Sequence, residues 1–220
     1  MSLKPLKASD QRILNGIMQP RKKEILDELP PYTYIVSEGV KTEPNYISGF
    51  TDEINEKYRD FTSGKRIIVK GAGRHTKNLL RYARNQVRED FPQAAVVWLM
   101  YDKDDFPLDD FDNTQHSAET RQDSRQYRVA WSNECIELWF VLHFQDLTVN
   151  NGRNQYRRIL RQYIDYEKDM PNLYALLKEH TYKAIQRAKR QYASHSGLPP
   201  SRCCPATRVF ELVEELLYYL

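Results

Sequence analysis

The chain has 220 residues, 29% of them charged and 40% hydrophobic, with a formal net charge of +3. That composition excludes a disordered or fibrous chain and leaves room for one globular domain, or one domain with a helical extension. Three cysteines, Cys135, Cys203 and Cys204, make neither a disulfide framework nor a zinc spacing, so the expected compartment is a reducing cytoplasm.

A signal peptide is not expected from the polar start Met1-Ser-Leu-Lys-Pro5, and no apolar run approaches the ~20 residues of a membrane span. The distribution of charge says more than its sum. Met100 to Asp123 holds eight acids against two bases, and Asn151 to Arg190 holds ten bases against four acids. An acidic pocket beside a basic surface suits a protein that grips a cation with one part and a polyanion with the other. A charge block is as often only a solvated face.

In chain order, residues 1–31 read as a polar, basic arm carrying Arg21-Lys22-Lys23 and closing at Pro30-Pro31. Tyr32 to Val36 predicts a buried strand, with Ser37-Glu38-Gly39 as the turn. Thr42 to about Tyr58 predicts a helix capped by Thr42, with Tyr46, Ile47, Phe50 and Ile54 as its apolar face. Arg66 to Val69 is the second strand, closed by Gly71-Ala-Gly73. Thr76 to Asp90 is a helix with Leu79, Leu80, Ala83 and Val87 inward and Lys77, Arg81, Arg84 and Arg88 outward. Ala94 to Tyr101 is the third strand; a short helix around Asp112 to Thr120 leads to a fourth, Gln126 to Trp131. Strand–helix alternation predicts an α/β fold, a parallel sheet of about four strands flanked by helices.

Beyond Asn133 the strand signals stop, so 133–220 is expected to be a helical half packed on the same core as 32–132. Its helices are expected over Cys135 to Phe144, Asn154 to Ile164, Leu173 to Tyr192 and Thr207 to Leu220.

The chemistry sits where two strands stop. One ends in Glu38-Gly39 and the other in Asp102-Lys-Asp104-Asp105, and ligands of open α/β sheets bind at the carboxyl ends of the strands. Two carboxylates ~4 Å apart repel by roughly 4 kcal/mol at an effective dielectric near 20, so such a cluster calls for a cation. Oxygen ligands favour Mg²⁺. Asp102 and Asp104, alternate residues of an extended segment, are expected to point the same way and share one metal.

Glu43, Asp105, Glu137 and His143 are candidates for a supporting role around the three acids. Glu137 lies in an apolar helix and is expected either in a structural network or against the catalytic edge. His143 reads as a hydrogen-bonded core or supporting histidine rather than a ligand. Gly71-Ala-Gly73 before a helix start is a weak phosphate-cradle motif, and an ordinary tight turn fits it better. Arg157, Arg158, Arg161, Lys183, Arg187 and Arg190 recur at helical spacing and are expected to hold a nucleic-acid backbone. Tyr156, Tyr163 and Tyr182 are available between them for base stacking. The chain has no Walker motif.

Glu-Gly and Asp-x-Asp at the ends of alternating strands resemble the Toprim domain of topoisomerases, primases and related nucleases. More narrowly, three blocks resemble the RloB-like family: Glu38-Gly-x-Lys-Thr-Glu-Pro-Asn-Tyr46, Tyr101-Asp-Lys-Asp-Asp-Phe106, and Ser132-Asn-x-Cys-Ile-Glu-Leu-Trp-Phe-Val-Leu-His-Phe144. Tyr182-x-Ala-Ile-x-Arg-Ala188 and Pro205-Ala-Thr-x-Val209 extend the resemblance over roughly residues 32–220. Arg74-His75 departs from the glycine- and asparagine-rich turn expected before Thr76.

The resemblance implies a Toprim-like sheet, with Asp102 and Asp104 as metal ligands and Glu38 in general acid/base or metal work. It implies a Mg²⁺- or Mn²⁺-dependent endonuclease of DNA or RNA in restriction-linked or abortive-infection (phage-defence) systems, with an AAA- or ABC-type ATPase partner. The alternative is a Toprim scaffold that binds nucleic acid or a partner ATPase without cutting.

Overall fold

The structure, a computed structural model, describes residues 29–74, 76–104, 107–121 and 123–220. His75, Asp105 and nearly all of the basic arm expected over 1–31 lie outside the described residues. Five strands form one sheet: β1 (Thr33–Ser37), β2 (Ile67–Gly71), β3 (Val96–Asp102), β4 (Gln126–Asn133) and β5 (Ala206–Thr207), in the order β2-β1-β3-β4-β5. The first four run parallel; β5 pairs antiparallel with the end of β4. Two residues are too few to carry an alternating pattern, and β5 is accordingly absent from the sequence reading.

Every residue of β1 and all but the last of β3 are buried, because helices cover both faces of the sheet. Tyr34, Val36, Val97, Leu99, Tyr101 and Trp131 pack with α2 (Thr76–Asp90) and α3 (Leu108–Glu119). Their neighbours in the pleat, Ile35, Trp98, Met100 and Ala130, point the other way. They meet α1 (Thr42–Lys57), α4 (Glu137–Leu142), α5 (Arg153–Leu160), α6 (Leu173–Leu177), α7 (Thr181–Ala193) and α8 (Val209–Tyr218). The C-terminal helices therefore share one hydrophobic cluster with β1 and β3.

The helix expected over Leu173 to Tyr192 is two helices. A 3-10 turn at Lys178–His180 separates α6, which lies on α1 with Tyr174 edge-on to Phe50, from α7, which packs on α4 and α8. Partners on different sides of the core divide a segment whose apolar period is continuous. Likewise the apolar run from Cys135 becomes helical only at Glu137, because the Ile136 N–H is turned toward the sheet edge.

One relationship positions everything that follows. From β1 the chain steps to β2 on one side and then to β3 on the other, so the strand order reverses between β1 and β3. The crevice at the carboxyl ends of two such strands is where open α/β sheets bind ligands.

Candidate functional site

At that crevice Ser37 pairs with Met100 and with Gly71, and the Glu38 N–H donates to the Met100 carbonyl at 2.8 Å. The Gly73 N–H donates to the Glu38 carbonyl at 3.0 Å, so Glu38 is held from both sides at backbone level. Gly39 follows because a Cβ there would stand 2.2 Å from Glu43 Oε2; the missing side chain lets the first turn of α1 lay its carboxyl against the turn. Gly71 is equally forced. Its Cβ would meet Val40 Cα at 2.5 Å and the Gly39 oxygen at 2.7 Å, both backbone atoms.

β3 delivers Asp102, whose carboxylate accepts the Ile136 N–H at 3.1 Å. The strand ends there. Asp104 lies in a turn with φ of 40°, left-handed backbone that a non-glycine residue adopts at a cost. Its N–H donates to the Glu134 carbonyl at 3.0 Å. The expectation that Asp102 and Asp104 share one extended segment is thus corrected: they reach a common cavity through a turn.

That cavity has a volume of about 340 Å³, and Glu38, Glu43, Asp102, Asp104 and Glu137 all line it. Lys41 just before α1, Arg153 and Arg157 of α5, and Lys168 and Asp169 of the loop after α5 line the same cavity. Burial, and then the charges of Glu43 and Glu137, raise the Asp102 carboxyl well above the usual range; the Ile136 N–H opposes this and Glu38 adds to it. Glu43 is pushed up to about 7, first by burial, with Glu137 and Glu38 adding and Lys168 subtracting. Glu38, Glu43, Asp102 and Glu137 therefore act as one mutually repelling group.

Two of the five acids, Glu137 and Asp104, have a guanidinium partner. Glu137, buried, accepts from Arg157 Nε at 2.8 Å and from the Tyr166 hydroxyl at 3.3 Å. Asp104 Oδ1, a buried atom, touches Arg153 Nη2 in an ion pair.

A hard divalent cation fits this donor set in kind and in charge: oxygen ligands, and carboxyls that repel one another. Among the described residues no three His, Cys, Asp or Glu side chains already stand close enough together to hold one. To hold one, side chains, Asp104 and its arginine above all, would have to turn.

The sequence profile of a family described as RloB-like protein matches residues 33–216. The chain belongs to the RloB-like family. No curated protein and no solved structure matches it.

Other residues named from the sequence fall in three places in this RloB-like chain. His143 is buried in the core away from the cavity, its Nδ1 3.0 Å from the Trp139 carbonyl and its Nε2 3.3 Å from the Tyr46 hydroxyl. A carbonyl only accepts, so Nδ1 carries the proton and Nε2 accepts from Tyr46. Burial holds the ring neutral, its pKa lowered to about 3.

Of the six basic residues expected on nucleic acid, only Arg157 lines the carboxylate cavity. Arg158, Arg161 and Lys183 are exposed on α5, just past its end, and on α7. Arg187 donates to the carbonyls of Leu142 and His143 at 2.8 and 3.0 Å, and Arg190 pairs with Asp146 at 2.8 Å, beside a different cavity of about 250 Å³. Tyr156 is buried and bonded to Asn150, which removes it from any stacking role; Tyr163, stacked on Phe144, and Tyr182 are exposed.

Arg153, Lys168 and Asp169 line the RloB-like cavity although nothing in the sequence singles them out. The only local hint is Asn150-Asn-Gly152, a turn signal that starts α5 one residue before Arg153.

Proposed function

We propose that this protein is a metal-dependent nuclease with a Toprim-like active site, cleaving phosphodiesters of DNA or RNA with Mg²⁺ or Mn²⁺. One observation carries the reading: Glu38, Glu43, Asp102, Asp104, Glu137 and Asp169 line one cavity at the strand-order reversal, together with the bases Lys41, Arg153, Arg157 and Lys168. Asp102 and Asp104 hold the cation, with Glu38 completing the coordination or taking a proton from the attacking water. When bound, the ion supplies polarisation of a phosphoryl oxygen and stabilises developing negative charge.

The chain's own groups do the rest. Arg157, fixed by Glu137, and Lys168 present positive charge to a phosphate at a set depth. Ile136 N–H orients the Asp102 carboxylate, and Gly39 leaves the Glu43 carboxyl its place beside Glu38. About 340 Å³ admits a phosphodiester group and an ion, not the body of a duplex, so a strand enters by its backbone. The resemblance to the RloB-like family, rather than any residue of the site, is what suggests a setting in phage defence or restriction with an ATPase partner.

The test is incubation of labelled DNA, messenger-like RNA and transfer RNA with Mg²⁺, Mn²⁺ or chelator, comparing wild type with Glu38→Gln and Asp102→Ala. Cleavage that requires the metal and is lost in both variants supports the reading. Salt-sensitive binding with no metal-dependent cleavage on any substrate would replace it with a non-catalytic nucleic-acid-binding module.

A further inference from the structure

Arg153 stands in two roles at once: it lines the cavity, and its guanidinium is paired with Asp104. We propose that Arg153 is a counter-ion latch, neutralising Asp104 while the site lacks a cation and released to grip the substrate phosphate when a divalent ion takes Asp104. This rests on the metal-site reading above and names how metal and polyanion binding are coupled there.

Three features set Arg153 apart from Arg157 beside it. The Arg153 backbone is anchored, its N–H donating to Glu134 Oε2 at 3.2 Å at the first position of α5, after Gly152 with φ of 76°. Its side chain is not anchored in the same way: the ion pair has side-chain exposures of 39% and 31%, the range in which a pair is weakly held and easily exchanged. The Glu137 side chain paired with Arg157 is 4% exposed and shared with Tyr166, so that arginine stays in place.

The third feature is the contact itself. Asp104 Oδ1 is a buried atom that meets the guanidinium at Nη2, so Arg153 supplies the positive charge that this buried carboxylate requires. A cation with oxygen preference can supply that charge in its place. The freed guanidinium then faces the cavity beside Arg157 and Lys168, where a phosphate can accept both of its parallel N–H groups.

The consequence is reciprocal coupling: metal tightens polyanion binding, and polyanion tightens metal binding by the same factor. Two titrations read it. Free Mn²⁺ is followed by electron paramagnetic resonance, and a fluorescent single-stranded oligonucleotide, DNA and RNA versions, is followed by anisotropy with Mn²⁺ or chelator. Its integrity is checked by gel after each run.

In wild type, Mn²⁺ is expected to tighten the oligonucleotide by about fivefold or more. Arg153→Gln is expected to bind Mn²⁺ more tightly than wild type, because the competing charge is gone, while binding the oligonucleotide more weakly and with a smaller gain from Mn²⁺ than wild type shows. Asp104→Ala in chelator is expected to bind the oligonucleotide more tightly than wild type in chelator, since the latch is already open. Loss of a negative charge alone would raise affinity equally in an Arg153→Gln background, whereas the latch requires that the gain from Asp104→Ala disappear in the double variant.

If wild type binds no Mn²⁺, the metal-site reading itself fails. If wild type binds Mn²⁺ but Arg153→Gln binds it no more tightly, or Asp104→Ala gains no oligonucleotide affinity in chelator, the latch is overturned and the metal site stands. Near-ultraviolet circular dichroism confirms that each variant is folded; should Asp104→Ala fail, Asp104→Ser makes the same comparison.

Discussion

Thr42 Oγ1 donates to Asp169 Oδ1 at 2.5 Å across 127 residues of chain, tying the first turn of α1 to the loop that carries Lys168. Asn45 Nδ2 adds a second bond, to the Asp169 carbonyl at 3.2 Å. Asp169 holds a φ of 66°, a left-handed conformation retained because both bonds determine it. Thr42→Val is expected to cost about 1–2 kcal/mol, the loss of a hydrogen bond to a charged group. Urea unfolding of Thr42→Val, Asp169→Ala and the double variant is the measurement. Additive single costs would show that the two residues do not act as a unit.

Glu43 makes the site costly to fold without a cation. Its carboxyl is raised to about 7 by burial first, so the folded protein holds a proton there that the unfolded chain releases near 4.5. The sign follows: a raised folded pKa gives stability present below pH 4.5 and lost as pH rises through 7. Glu43→Gln is therefore expected to stabilise the metal-free protein at pH 8 by about 1–3 kcal/mol, and to leave it little changed at pH 4. Denaturation at the two pH values checks this. A variant less stable than wild type at pH 8 would refute it.

Much of this arrangement is readable in the chain before folding, and the reason lies in local pattern. β1 and β3 are continuous apolar runs with acids at their ends, and α2 shows both its period and its limits, Thr76 to Asp90. The mutual field of Asp102, Glu43 and Glu137 is less legible, because Glu43 sits in a helix and Glu137 in an apolar one, each a common surface or core pattern by itself. Arg153, Lys168 and Asp169 are illegible. They lie 49 or more residues past Asp104 in the chain, and only the packing of α5 on α4 and the bonding of its following loop to α1 bring them to the strand ends. Thr42 shows the same limit: suited to a cap by residue type, it spends its hydroxyl on Asp169 instead.

His143 predicts a titration unrelated to the cavity. Its folded pKa, lowered to about 3 by burial, means that below about 6.5 the unfolded chain takes up a proton that the folded one refuses. Stability from this group is present at neutral pH and falls with acidification at up to ~1.4 kcal/mol per pH unit between about 6.5 and 3. His143→Gln removes the ionisable ring and is expected to flatten that slope by one proton, whatever it costs at pH 7 through Tyr46 and Trp139. Parallel pH–stability curves for the two proteins would show that the ring takes up its proton in the folded state.

Gly71 and Gly64 make a matched pair of alanine substitutions. At Gly64 a Cβ meets nothing within 4 Å, so Gly64→Ala is expected to be neutral or to stabilise by about 0.4–1 kcal/mol through the unfolded chain. At Gly71 the same Cβ meets Val40 Cα at 2.5 Å and the Gly39 oxygen at 2.7 Å, and backbone cannot rotate away as a side chain can. Gly71→Ala is expected to cost about 1–3 kcal/mol by overpacking. Because the displaced atoms belong to the turn that places Glu38 and lets Glu43 lie beside it, Mn²⁺ affinity should fall along with stability. Thermal unfolding and Mn²⁺ titration of both variants separate the effects. Unchanged metal binding in a destabilised Gly71→Ala would mean that the β2–β1 contact holds the fold and leaves the site alone.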